Sequence, residues 1–390
     1  MEKLTIMQVA AAIGPACFML GSPLFPSLIA LLVNLSLQYG NSPASGYGYA
    51  CYGLFLNSFL QDASASGQFG RLAYRLASTS DAKNMRSETF AIVGLFLHHR
   101  QAHLQETLPI LQTGYQAGLE AGNLGFVGHN GNGFCINSFW CGKPLVELET
   151  QIRSFRQQFL DCNQLTAANY CSIYWESIHF LLDNPDAIEF SFSQGQIFDS
   201  KNSAGMFQFY LYKAALKFLI GDIALASADI AQARPYLAAG VETITEAVFY
   251  FYDSLIALAT LSELGAESET QQQRIRANQA RLNHWAEHAP MNYLHKWQLV
   301  EAEICRVQGQ QVEAMELYDR AIAGAREYQY IQEEALANEL AAKFYLDWDK
   351  QNIARTYTIE ARYCYQRWGG NCQSQTTGCP VSPVIQSPRA

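Results

Sequence analysis

One group of histidines has the spacing that metal-binding sites use. His99 and His103 are four residues apart, which places them on one face of a helix, and His98 adds a third imidazole. Glu106 is the nearby carboxylate that could join this set of ligands. Because structural zinc needs a full tetrahedral set of ligands, we favour a basic, solvated turn between two helices and expect no bound metal.

A second pair of histidines, His284 and His288, has the same spacing, but Ala289 and Pro290 follow it directly. Proline is excluded from helix interiors and is common at the first position of a helix. We therefore expect these histidines at the end of a helix, where a protonated imidazole interacts favourably with the helix dipole.

No set of side chains has the spacing of a catalytic site. Glu301 and Glu303 are two residues apart in a predicted helix, so they point to different faces and do not form an acid–base pair. The sequence contains neither the Gly-rich, His-Arg-Asp and Asp-Phe-Gly motifs of protein kinases nor the phosphate-binding loop of ATPases. The sequence predicts no catalytic, cofactor-binding or metal-binding residues and no cofactor.

The ten cysteines are scattered along the chain, mostly among apolar residues. No segment with a basic start, an apolar centre and a small-residue cleavage site precedes them. We therefore expect a cytoplasmic protein with reduced, buried thiols. Cys135 with Cys141, or Cys372 with Cys379, are less favoured disulfide candidates, since neither pair has a recognised metal or redox spacing.

The balance of charges argues against a nucleic-acid partner. The sequence has 26 Lys and Arg residues against 35 Asp and Glu residues, for a net charge of −9. A phosphate-binding surface needs clustered basic residues. Apolar residues make up 49% of the sequence, so the chain has ample apolar surface to bury and folds rather than staying disordered.

The amino-terminal region from Leu4 to Gln61 contains no charged residue. Pro15, Pro23 and Pro26 interrupt it, and the longest uninterrupted apolar piece, 27–37, is shorter than the roughly 20 residues that span a membrane. We expect largely buried helices rather than a membrane anchor, with a short hydrophobic hairpin as the alternative. Its apolar surface predicts self-association through residues 7–37.

The spacing of apolar residues predicts helices along the chain. At 300–307 and 313–318 apolar residues recur every three or four positions, as in amphipathic helices. The alternation typical of strands does not occur, and the cluster His-Asn-Gly-Asn-Gly at 129–133 is the one that resembles a turn.

These helices repeat with a period of about 40 residues. Gly309 follows Ala302 by seven positions and precedes Ala314, Tyr318 and Ala321, which is the tetratricopeptide pattern of small residues at close helix contacts. The corresponding residues of the next copy are Ala342, Tyr345, Asp349, Ala354 and Ala361. The turns of further copies are predicted at Gly67, Gly142 and Gly221.

We therefore predict an all-α fold. Residues 1–369 form an α-solenoid of about eight tetratricopeptide-like helix pairs in a right-handed superhelix, with a softer joint near 264–284. Residues 370–390 are rich in Pro, Ser, Thr and Gln and are predicted to be disordered.

Several segments resemble the tetratricopeptide-like region of large hybrid signalling proteins of the cyanobacterial type. The most specific are EAMELYDRAI at 313–322, EALANELAAKFYL at 334–346 and ARYCYQRWG at 361–369. Weaker matches lie at 34–45, 106–109, 251–255 and 295–303. Those proteins join this region to a serine/threonine kinase, a P-loop ATPase, a GAF domain and a sensor histidine kinase, whose motifs are absent from this sequence.

The resemblance implies a noncatalytic interaction or relay module for serine/threonine and two-component signalling, with kinase, ATPase or histidine kinase modules as candidate protein partners. We expect a stand-alone fragment of such a hybrid kinase. The alternatives are a sensor that binds a ligand or peptide and an enzyme with an unrecognised pocket in the solenoid. Asn338 is a candidate for binding a peptide backbone, or for satisfying a neighbouring helix end.

Overall fold

The computed structural model describes residues 2–79, 85–182, 202–264 and 269–370, and these parts of the chain form helices and no strand. The all-α prediction is confirmed for them. Their α-helices are α1 (Glu2–Met19), α2 (Leu24–Tyr39), α3 (Ser45–Leu60), α4 (Ala63–Ala77), α5 (Arg86–Ile92), α6 (Thr107–Ala121), α7 (Leu124–Trp140), α8 (Leu145–Asp161), α9 (Leu165–Leu182), α10 (Ser203–Leu219), α11 (Ile223–Ala233), α12 (Ile244–Leu264), α13 (Glu269–His288), α14 (Pro290–Val307), α15 (Gln311–Glu327), α16 (Ile331–Asp347) and α17 (Gln351–Trp368).

Several helices begin and end at residues that favour helix ends. Side-chain oxygens accept hydrogen bonds from backbone N–H groups in the first turns of α4, α7, α10 and α11, and the residues that do so are Asp62, Asn123, Asn202 and Asp222. Such caps satisfy donors that a helix leaves free. Gly142, Gly221 and Gly309 follow α7, α10 and α14 with positive φ, so these predicted turns are confirmed.

Two predicted turns are wrong, because their glycines serve close packing inside helices. Gly67 lies within α4, where a Cβ atom would overlap the side chain of Gln101. The cluster 129–133 lies within α7, and a Cβ atom on Gly131 would lie 2.6 Å from the ring of Phe159. Glycine at these positions removes the atoms that would keep neighbouring side chains away.

Each helix packs against its neighbour in the chain, and alternate helices also pack against each other. The series α1, α3, α5, α7 and α9 is linked in this way, and so is the series α10, α12, α14 and α16. Within the described residues adjacent helices pack closely as pairs, for example α3 with α4, α8 with α9 and α16 with α17. Apolar residues of α1–α5 form a smaller core, and those from α6 to α17 form a larger one.

Two predicted features fall partly or wholly outside the described residues. Of the softer joint near 264–284, residues 265–268 are not described, and 269–284 belong to α13, which packs against α12 and α14. The tail predicted to be disordered, 370–390, lies outside the described residues except for Gly370.

Helix α12 contains one stretch, Ile244–Leu261, whose length and composition would allow it to cross a membrane. In the structure 83% of this stretch is buried inside the protein. A core helix meets the same criteria of length and apolar composition, so the stretch is weak evidence for a membrane span.

Candidate functional site

A break after α5 carries a polar segment into the interior of the protein. Helix α5 continues as a π-helical turn (Val93–Leu97) and a 3-10 turn (His98–Arg100), and another 3-10 turn (Leu104–Glu106) precedes α6. The segment 98–106 contacts residues of α12 and α14 and the turn at 328–330 that precedes α16. We call this contact the buried polar seam, and its residues are His99, Arg100, Glu242, Glu246, Asn292, Tyr293, His295, Lys296, Tyr330 and Glu333.

His99 lies in the centre of the seam and is 0% exposed. Its Nδ1 atom is 2.6 Å from the Tyr293 hydroxyl, and its Nε2 atom is 3.1 Å from the carbonyl oxygens of Leu95 and Glu242. Since carbonyl oxygens only accept, Nε2 carries the proton and Nδ1 accepts from Tyr293. Burial and the adjacent Arg100 hold the pKa of His99 well below its ordinary value. The expectation of a solvated turn is therefore wrong at His99 and Arg100.

Arg100 brings a charge into the same interior. Its guanidinium lies 3.2 Å from the carboxylate of Glu242 and 3.5 Å from that of Glu246, and 4.6 Å above the ring of Trp285. The side-chain amide of Asn57, in α3, also donates to Glu242. A buried charge is tolerated only when it is paired, so these contacts fix the 98–100 turn to the start of α12.

Asn292 joins the segment 98–106 to α14 and α16. Its side-chain nitrogen donates to the carbonyl oxygens of His99 (2.6 Å) and Ala102 (2.8 Å). Its side-chain oxygen accepts from the backbone N–H of Leu104 (2.9 Å) and from the Tyr330 hydroxyl (2.7 Å). With both amide protons and both lone pairs used, this fully buried side chain satisfies its whole hydrogen-bonding capacity.

A buried ion pair continues the seam between α14 and α16. The ammonium of Lys296 lies 2.8 Å from Glu333 Oε2 and 4.3 Å above the ring of Tyr330, and it donates to the Asn292 carbonyl oxygen at 2.9 Å. His295 Nε2 contacts the same carboxylate. Burial raises the pKa of Glu333, but the charge of Lys296 and the contacts with Lys296 and His295 outweigh it, and the net pKa is lowered. Burial and Lys296 lower the pKa of His295 to about 4.

These groups could transfer protons, but the fold gives them no contact with solvent. Each of the seam's histidine, lysine and arginine side chains, and the Glu333 side chain, is at most 4% exposed. A general acid or base must reach the proton it transfers. The seam in this conformation therefore holds two distant parts of the chain together and offers no surface for a substrate.

The other histidines of the first group do not converge on a common point. His98 Nε2 lies 3.8 Å from Glu106. His103 Nδ1 accepts from the backbone of Gln105, and its Nε2 donates to the carbonyl oxygen of Tyr328 at 2.8 Å. Within the part of the chain that the structure describes, no group of three His, Cys, Asp or Glu residues could hold a metal ion.

The remaining sequence candidates have separate structural roles. His288 ends α13 and Pro290 begins α14, so the predicted helix end is confirmed. Glu301 accepts from Gln279, whereas Glu303 pairs with Arg306, so the two carboxylates do act apart. Described cysteines are free thiols, including the candidates Cys135 and Cys141, while Cys372 and Cys379 lie outside the described residues.

A groove of about 560 Å³ runs between α15 and α17, with α16 as its floor. Arg326 bridges it, because its guanidinium lies 2.6 Å from Glu334 and 3.8 Å from Glu360. Tyr363 is 55% exposed at the rim, and the guanidinium of Arg367 lies 5.5 Å above its ring. We call this feature the carboxy-terminal groove.

Asn338 lies in the floor of the carboxy-terminal groove and is 1% exposed. Its side-chain nitrogen donates to the carbonyl oxygen of Glu334, one turn earlier in α16, at 2.8 Å. Asn338 therefore bonds within its own helix, and the exposed polar atoms of the groove belong mainly to its rim.

Comparison with known proteins gives one short similarity. No family model matches the chain. Over 45 residues, which are 12% of this chain, the sequence is 44% identical to hybrid signal transduction histidine kinase G of Dictyostelium discoideum. The match covers about 1% of that protein, so this chain corresponds to a very small part of its length. The match indicates relatedness to a signalling protein.

Proposed function

We propose that the chain is a noncatalytic helical module that binds protein partners in serine/threonine and two-component signalling. The observation that carries this proposal is the carboxy-terminal groove. Tyr363 and Arg367 are exposed there, and Tyr and Arg are among the residue types enriched in the few positions that dominate protein–protein binding. The short match to a hybrid histidine kinase supports signalling as the context.

The rim of the groove combines an aromatic anchor with both signs of charge. Tyr363 offers an apolar ring with a polar end, and Arg367 beside it offers a planar guanidinium for carboxylates or phosphates. Arg326 and Glu360 are each about half exposed, and their separation of 3.8 Å makes them a weak pair that a partner's charges can replace. We infer that a partner segment with an acidic group binds beside Arg367.

The buried polar seam supports the relay part of the proposal. It joins the segment 98–106, between α5 and α6, to α14 and, through α14, to α16, and we infer that this contiguous set of contacts carries the relay. Coupling between sites requires a contiguous set of contacts with a second arrangement available. A cytoplasmic location is also part of the proposal, and the free thiols of the described cysteines support it.

Binding experiments with separate signalling domains test this proposal. The full chain is titrated by calorimetry with the serine/threonine kinase, P-loop ATPase, GAF and histidine kinase domains encoded in the same genome. We expect saturable binding of at least one domain. The variants Tyr363→Ala and Arg367→Ala should weaken it by about tenfold or more, because anchoring residues of this kind contribute about 2 kcal/mol each.

Arg153→Ala on the exposed face of α8 is the matched control, since its side chain is 65% exposed and lies outside the groove. It should bind as the unmodified chain does. Binding that is insensitive to both groove variants would contradict the proposed surface. ATP hydrolysis or phosphoryl transfer by the pure chain, abolished by a point substitution in it, would contradict the noncatalytic assignment.

A further inference from the structure

A second concave feature lies in the amino-terminal part, between α1, α2, α3, the α5 segment and the first turns of α7. It encloses about 210 Å³. Tyr47 and Cys51 of α3 form its floor together with Ile92, and all three are buried. Phe18 of α1 and His129 of α7 stand at its opening. We call this feature the amino-terminal cleft.

The chemistry of the cleft walls selects against charged molecules. The described residues that line it include no Lys, Arg, Asp or Glu, and most of them are aromatic or aliphatic. A charged group placed there would lose its hydration without gaining a partner of opposite charge. An engineered apolar cavity of about 150 Å³ is known to bind benzene. A cleft of about 210 Å³ has room for a larger, two-ring molecule.

One polar side chain at the opening has its ring nitrogens unengaged. His129 packs against Phe126, with ring centroids 5.4 Å apart, and makes no hydrogen bond to the described residues. Its residue is exposed and lines the opening of the cleft. The neutral imidazole, which predominates at pH 7, offers one donor and one acceptor. Asn123 is already bonded to Glu88 and Phe126.

We propose that the amino-terminal cleft binds a small, uncharged, two-ring aromatic molecule whose single hydroxyl group forms a hydrogen bond with His129. This site goes beyond the proposed partner binding and is independent of it, since the carboxy-terminal groove uses different helices. A ligand here would contact α1, α3 and α7 together and so would link the first helix pairs.

The opening of the cleft offers a position where bulk can be added without strain. A Cβ atom on Gly125 would have only Asn123 Oδ1 within 4 Å, at 3.9 Å, and Gly125 is helical. Gly125→Leu should therefore fold normally and, because Gly125 lines the cleft, obstruct its opening, and Gly125→Ala is the matched control with minimal added volume.

The test measures binding of 1-naphthol and naphthalene to the full chain by equilibrium dialysis. We expect one site per chain for 1-naphthol, and Gly125→Leu should weaken binding by at least about tenfold. His129→Phe keeps a ring but removes the hydrogen bond, so it should weaken 1-naphthol by about three- to tenfold and leave naphthalene within about twofold. Circular dichroism establishes that each variant is folded.

Three results would overturn the proposal. The first is the absence of saturable one-to-one binding of 1-naphthol. The second is unchanged binding by Gly125→Leu. The third is loss of binding in the double variant Leu20→Gln/Leu37→Gln, whose positions are exposed and lie outside the cleft, because this would mean that the probe binds the exposed apolar surface.

Discussion

Lys296 and Glu333 form an ion pair of 2.8 Å between α14 and α16, in an interior where neither side chain reaches solvent. His295, the residue before Lys296, contacts the same carboxylate although it lies 38 residues from Glu333 in the sequence. The ammonium of Lys296 and the imidazole of His295 thus share one carboxylate, and a buried charge without a partner is far more costly than a buried pair. The stability of this part of the fold depends on all three groups together.

We predict that Glu333→Gln destabilises the protein by about 3–5 kcal/mol, the range for removing one member of a buried pair. The substitution leaves the Lys296 ammonium buried without its anion. Guanidinium denaturation followed by circular dichroism measures the free energy of unfolding. The double variant Lys296→Met/Glu333→Gln should recover part of the loss, because it removes the orphaned charge.

The exposed pair Arg320–Glu316 is the control for this prediction. Its atoms are 3.2 Å apart and both side chains are more than half exposed. Glu316→Gln should change the free energy of unfolding by about 0–1 kcal/mol, as surface pairs do. Equal effects of Glu333→Gln and Glu316→Gln would show that the buried pair contributes no more to the free energy of unfolding than the exposed pair does.

His295 makes the stability depend on pH in mildly acidic solution. The pKa of His295 is about 4 in the folded protein, whereas its ordinary value, which applies to the unfolded chain, is 6.5. Between these values the unfolded chain binds a proton that the folded protein does not. The free energy of unfolding should therefore fall as pH falls from 6.5 to 4, by up to about 1.4 kcal/mol per pH unit for this group.

The groups that face His295 are Lys296, Glu333 and His103. Glu333 has a lowered pKa, so its own contribution is present above its ordinary value of 4.5 and is lost as pH falls through the lower folded value. The contribution of His295 is thus lost between pH 6.5 and 4 and that of Glu333 below pH 4.5, so the two can be distinguished. His295→Gln should reduce the slope of stability between pH 6.5 and 4, and His99, whose pKa is also lowered, accounts for part of the slope that remains. His288→Gln, at an exposed helix end, should leave the slope unchanged. An unchanged slope in His295→Gln would assign it to other groups.

Local features of the fold could be predicted from the sequence because they depend on neighbouring residues. Gly309 ends α14 in a left-handed conformation, and His288 ends α13 before Pro290, as their types and order indicate. The prediction of a turn at Gly67 is wrong, because glycine is favoured both in turns and at close contacts between helices. The close contact is with Gln101, and the sequence near Gly67 does not indicate that Gln101 packs there.

The buried polar seam could not be predicted, because its partners come from distant parts of the chain. The side chains of His99 and Tyr293 are 194 residues apart in the sequence, and nothing near His99 indicates that it is buried. A weak signal exists in α14, where Lys296 lies one turn before the apolar Leu299 and Val300 on the buried face of the helix. A charge in such a place indicates a buried partner, but not that the partner is Glu333.

We predict that Ala314→Trp destabilises the protein by about 1–3 kcal/mol, because it forces bulk into a packed interior. Ala314 and Ala354, the two alanines placed at close helix contacts by the repeat pattern, are both buried. Val312→Trp is the control, since Val312 lies in the same helix and is 57% exposed. If both substitutions had the same small effect in chemical denaturation, the close contact at Ala314 would not be a determinant of stability.

The apolar surface of the first two helices leads to the last prediction. Leu20, Leu24 and Leu37 are 83%, 62% and 72% exposed, and no charged residue lies between Leu4 and Gln61 to keep this surface apart from another copy. Large exposed apolar surface marks an interaction site. We expect the chain to self-associate through residues 7–37, with an average mass that rises with concentration in sedimentation velocity.

The triple variant Leu20→Gln/Leu24→Gln/Leu37→Gln tests this surface without shortening the chain. All three positions are exposed, so the fold should be preserved while the driving force for association falls by an amount proportional to the apolar area removed. We expect the variant to sediment as a monomer at concentrations where the unmodified chain does not. Substitutions at Val146, which is 66% exposed on α8, should have no such effect. A monomeric unmodified chain at every concentration would show that this surface does not bind a second copy.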